Sequence, residues 1–239
     1  MQPNDFSTSS ESRAVSYDAG LRGHMQRVYN RMTVGVLVTA LTAWVVSNSP
    51  ALLSLLMGGP QAYIVMFAPL AILWFGFRPE TMKPSTLRLS FGAICVLYGI
   101  SFSVILLAFT GESIARAFFM AAALFGGLSV FGYVTKKNLD GLGTFAVMGV
   151  WAVFILAIGT MIAGAFGVQT SGMQNIIAGL GLLAFSGVTA WQTQTTKEMY
   201  SASYGDDANN RAAWSAALTL YVSFIAIFQY ILHFVGNRE

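Results

Sequence analysis

Five stretches of this 239-residue chain contain no Asp, Glu, Lys or Arg: residues 32–77, 89–111, 117–135, 141–196 and 212–237. A helix needs about 20 apolar residues to cross a bilayer, because a rise of about 1.5 Å per residue must span roughly 30 Å of hydrocarbon. The runs of 23, 19 and 26 residues therefore hold one crossing each, and those of 46 and 56 residues must hold two. Both long runs contain breaks. "NSPALLSLLMGGP" supplies Pro50, Gly58, Gly59 and Pro60, and "GAFGVQTSGMQN" supplies Gly164, Gly167 and Gly172 with Gln169, Thr170 and Ser171. Such residues end helices and form turns.

The pattern predicts an all-α integral membrane protein of seven transmembrane helices, at about 30–48, 61–78, 87–109, 113–135, 143–167, 174–196 and 212–235. Composition agrees, since only 10% of residues are charged where a soluble domain carries about 25%. With the N-terminus inside, the cytoplasmic face receives 11 of the 13 Lys and Arg residues and the other face only Arg116 and Arg238. That bias sets the orientation, and a six-helix count would put one basic loop on the wrong side.

Residues 1–16, with five Ser, one Asn and one Pro, read as a disordered cytoplasmic tail. They hold no apolar h-region, so no cleavable signal is expected. Over 17–29, Leu21, Met25 and Val28 recur at helical spacing and continue to Met32, with Arg22, Arg27 and Arg31 on other faces. This segment reads either as an amphipathic lead-in along the inner headgroups or as an extension of the first span. Residues 30–239 form the seven-helix domain.

Several functions are excluded by what is missing. Basic residues interleaved with aromatics are absent, so no nucleic acid is expected. Cys95 is the one cysteine, which rules out an intrachain disulfide and Cys/His metal spacing. There is no nucleophile elbow, phosphate loop or His/Glu metal motif. The expectation is a non-enzyme without a cofactor or bound metal.

No ionisable residue lies in the core of any predicted span, which argues against a transporter driven through buried carboxylates. The polar groups are neutral and fall late in the chain. Ser186, Thr189 and Thr193 share a face of the sixth span, with Gln192 and Gln194 beside them, and Ser215, Thr219 and Ser223 recur every four residues on the seventh. Stripes of this kind serve helix packing, or they line a narrow polar seam between the last two spans. Arg78, at the inner end of the second span, reads as a snorkelling anchor close to Glu80.

Four stretches carry a likeness that covers nearly the whole chain: "LRGHMQRVYNRMTVGVLVTAL", "GYVTKKNLDGLGTF", "FSGVTAWQTQTTKEM" and "ALTLYVSFIAIFQYILHFVGNRE". Through them the chain resembles the Bax inhibitor-1 family of multi-pass membrane proteins. The resemblance implies a seventh helix enclosed by the other six and a calcium leak controlled by pH. In that family an aspartate of helix six shares a proton with one of helix seven, and an arginine ending helix two responds. Two carboxylates together in low dielectric titrate at a perturbed pH. Here "AWQTQ" puts Gln192 at the first aspartate, "LYVSFIAIF" puts Ser223 at the second, and Arg78 matches the arginine. Neither Gln nor Ser titrates, so the resemblance carries the fold but not the pH gating.

Two functions follow as expectations. One is a passive leak through the seam, with calcium as transported ion and Gln192 and Ser223 as a neutral constriction. The other is a non-conducting interaction protein of the inner membrane that modulates a membrane protease or another assembly. A small-molecule or lipid transporter would rest only on the neutral polar interior, and no broken-helix pair in related halves supports one.

Overall fold

The computed structural model describes residues 18–168, 170 and 172–237; the tail assigned to 1–16, and Tyr17, lie outside them. Within those residues the chain is helical, with no strand. The helices are α1 (Asp18–Ser47), α2 (Pro50–Met57), α3 (Gln61–Ala71, ending in a turn of π-helix, Ile72–Gly76), α4 (Pro84–Ala108), α5 (Gly111–Val134), α6 (Asp140–Ala165), α7 (Gly172–Glu198) and α8 (Asp206–Val235). Six are long and apolar enough to cross a membrane, and α2 with α3, bent by 76° at residues 58–60, makes a seventh if the pair is one span.

The largest departure from the pattern lies before the second span. Residues 50–57 read as part of a turn, yet they form α2, with Pro50 in its first turn. Proline suits that position because its missing N–H would have no partner there and its φ is already helical. Further on, Pro69 sits inside α3, and the helix loosens into the π-turn that begins three residues after it. A proline removes one i→i−4 bond and crowds the preceding turn.

At the other end of the chain, α8 forms the centre. Of its most apolar window 61% is buried, against 11–33% in the other spans. It packs on α1, α4, α5 and α7, whereas α3 leans on α4 and α6 on α7. Four helices thus supply the direct wall where the family resemblance implied six. Aromatic rings lock this centre: Tyr221 meets Phe91 and Tyr98, Phe224 meets Phe118 and Phe125, and Phe228 meets Phe102. Each edge-on or tilted pair contributes about 0.5–1.5 kcal/mol beyond its area.

From Asp18 onward α1 runs without a break, and Leu21, Met25, Val28 and Met32 are all buried within the protein. Small residues then set how closely helices approach. At Gly132 of α5, a Cβ would stand 2.2 Å from the carbonyl oxygen of Ala190 on α7, so only glycine permits this crossing.

Candidate functional site

Near its basic end α7 presents four consecutive side chains to four different neighbours. Successive helical residues are turned by about 100°, so a run of long polar side chains reaches all round the helix. Trp191 donates its indole N–H to Asp140 at the start of α6, at 3.0 Å. Gln192 turns to α8, where the Ser223 hydroxyl donates to its amide oxygen at 2.9 Å. Thr193, fully buried, lies 3.5 Å from the Ser129 hydroxyl of α5. Gln194 closes the turn between α5 and α6: it accepts from the Leu139 N–H at 2.8 Å and donates to the Lys137 carbonyl at 2.9 Å.

Of the residues expected to form a seam, the structure brings together Gln192 and Ser223. Ser223 is 1% exposed and Gln192 half-buried. The hydroxyls of Ser186 and Thr189 donate to the carbonyls of Leu182 and Phe185 on their own helix. Such i−4 bonds satisfy a hydroxyl without reaching a neighbour. Thr219 donates to Ala216 of its own helix and is exposed, while Ser215 is half-buried. The continuous seam thus reduces to one pair, because Thr193 and Gln194 serve α5 and its following turn. Arg78 is exposed in the segment joining α3 to α4, and no hydrogen bond or ion pair links it to Gln192 or Ser223 among the described residues. The pair carries no charge and offers only neutral oxygens and an amide.

Two further α7–α8 contacts lie beyond this pair. The Tyr230 ring fits over Gly181, where a Cβ would meet it at 2.3 Å, and it stacks tilted on Phe185. His233 pairs with the Asn175 amide oxygen at 2.9 Å. Residues 223 and 230 are seven apart, two helical turns, and so share a face. Tyr221 and Phe228 face α4. Thr219, Val222 and Gln229 fall between these two sides, and both Thr219 and Gln229 are exposed there.

A second polar cluster escaped the sequence reading. The Tyr221 hydroxyl, fully buried, stands 2.6 Å from Thr39 Oγ1 of α1, which lies 3.0 Å from the Gly35 and Cys95 carbonyl oxygens. Thr39 has one proton to give, so Tyr221 donates to it and it donates onward to a carbonyl. The cluster ties α1, α4 and α8 together. The only sequence signal was a tyrosine on a face of α8 otherwise lined by small and apolar side chains.

A family model described as "Inhibitor of apoptosis-promoting Bax1" matches residues 21–239. An uncharacterized protein of Caulobacter vibrioides is 38% identical over 99% of this chain and 100% of its own length. The uncharacterized protein RP147 of Rickettsia prowazekii is 33% identical over 95% of each chain. Inner membrane protein YbhL of Escherichia coli is 33% identical over 92% of this chain and 94% of its own. With apolar helices of membrane-spanning length and matches that run almost end to end, the chain belongs to the Bax inhibitor-1 family of multi-pass membrane proteins.

Proposed function

We propose that this protein is a passive cation leak of the inner membrane, with calcium as the transported ion and its N-terminus in the cytoplasm. The path runs along the side of α8 that carries Thr219 and Gln229, the enclosed helix of the bundle, and Gln192 with Ser223 forms the neutral constriction at its edge. One observation supports this above others: two polar side chains of the central helix are open rather than packed. Polar groups within a bilayer face water-filled space or protein, since hydrocarbon offers them no partner. The inner-membrane placement draws on the relative YbhL and on the 11 of 13 basic residues gathered at one end. Protein reconstituted in liposomes around a calcium dye is expected to pass calcium at a rate independent of pH between about 6 and 8, because the constriction does not titrate. Flux equal to that of empty vesicles overturns the reading.

A second reading has its own support. The Ser223–Gln192 bond joins α7 directly to α8, and a contact made side chain to side chain suits a static scaffold. On this reading the protein conducts nothing and modulates a membrane protease or another assembly through its cytoplasmic face. Crosslinking in native membranes should then recover a specific partner, and a preparation that recovers none counts against it.

A further inference from the structure

Helices α1 and α5 both pack on α8, yet they share no substantial interface with each other. The cleft between them holds two cavities. One, of about 430 Å³, is floored by Phe224, Ile225 and Phe228 of α8. The other, of about 290 Å³, runs on toward Tyr29 of α1 and Ser129 of α5. They share Val36, Phe118 and Phe224 and so form one continuous groove. On α1 it extends from Tyr29 to Ala43. At helical rise that is about 21 Å, longer than the roughly 15 Å of hydrocarbon in one leaflet. An unfilled groove forfeits the dispersion contacts of its walls, and the surrounding medium supplies acyl chains of suitable length.

Charge at the mouth selects among lipids. Arg22 is exposed on α1 seven residues before Tyr29, hence on the same face. On the opposite wall Tyr133 follows Ser129 by one turn of α5, and the Lys197 ammonium lies 5.4 Å over its ring. Lys136 and Lys137 come directly after α5. The acids nearest these cations in sequence are Asp18, Asp140 and Glu198; Asp140 accepts from the Trp191 indole, and none of the three forms an ion pair with them among the described residues. Basic side chains at this level attract anionic headgroups.

We propose that the α1–α5 cleft binds one anionic phospholipid, its acyl chain along Val36, Phe118 and Phe224 and its phosphate between Arg22 and Lys197. The site stands whether or not the protein conducts. Its chain lies against Phe224, the neighbour of Ser223, so the lipid braces α8 beside the α7–α8 hydrogen bond.

The test is native mass spectrometry of the purified full chain exchanged into phosphatidylglycerol or phosphatidylcholine. One phosphatidylglycerol is expected to stay bound after the other lipids are stripped, with a preference of roughly tenfold or more over phosphatidylcholine. R22Q with K197Q should abolish the preference. Gly126 lines the cleft, and a Cβ there meets nothing within 4 Å, so G126L fills the groove and should lose the retained lipid while melting as the unaltered protein does. Independently of any variant, phosphatidylglycerol with a mid-chain photoreactive group should label peptides containing Val36 or Phe118. Equal retention of the two lipids, unchanged retention in folded G126L, a second protein copy in place of lipid, or label spread evenly over all helices would each overturn the proposal.

Discussion

Ser223 of α8 gives its hydroxyl proton to the amide oxygen of Gln192 on α7 across 2.9 Å, although the two residues stand 31 positions apart in the chain. Hydrogen bonds between membrane helices contribute about 0.6 kcal/mol on average and at most about 1.7. Ser223→Ala is expected to lower the unfolding free energy in micelles by that amount. An unchanged denaturation midpoint would show that the bond does nothing for the fold.

Placing acids at both positions should create pH dependence. In a Q192D and S223D double variant two carboxylates would stand within hydrogen-bonding reach, so one pKa rises above its unfolded value of about 4. A raised folded-state pKa gives stability that is present at low pH and lost as pH climbs through that window. Melting temperature relative to the unaltered protein should therefore fall as pH is raised above about 4. A folded double variant with a flat profile would mean that the two positions do not meet.

Gln194 offers a sharper test of a structural role. Its amide satisfies one N–H and one carbonyl in the turn between α5 and α6. Gln194→Ala leaves both without a partner, at a cost of about 1–3 kcal/mol. Thermal melting and protease nicking between residues 135 and 140 should both report it.

Two glycines of α5 are expected to behave in opposite ways. Gly132→Ala forces a Cβ to 2.2 Å from the Ala190 carbonyl and should destabilise by about 1–3 kcal/mol as α5 is pushed off α7. Gly127→Ala meets nothing within 4 Å and should be neutral or stabilising by up to about 1 kcal/mol through helix propensity. Paired melts of the two variants separate packing from propensity.

Charge-free runs made the spans legible because exclusion of charge from hydrocarbon is a strong, local rule, visible in one sequence. Partners of polar side chains were less so. Ser186, Thr189 and Thr219 share spacing with Gln192 and Ser223, but a hydroxyl can turn back to its own backbone, and spacing does not reveal which will. Gln194 differed from Gln192 only in its angle around α7, which decides between a turn and a neighbouring helix. Thr39 shares its span with Thr33 and Thr42 and acquired meaning only when folding brought Tyr221 and Cys95 to it. Pro50 and the Gly58–Gly59–Pro60 run marked breaks correctly, yet the residues between them form a helix of their own, with Pro50 in its first turn and no residue of it buried.

The bent pair of helices over residues 50–76 has a mechanical consequence. It is hinged where two glycines precede a proline, softened again by Pro69 and the wider turn after it, and fastened chiefly to a single neighbour, α4. Moving it breaks few contacts, whereas shifting α4 or α5 against α8 would unmake the interlocked rings. Should the bundle have two shapes, this segment is the hand that turns between them, and labels at its two ends would see it first.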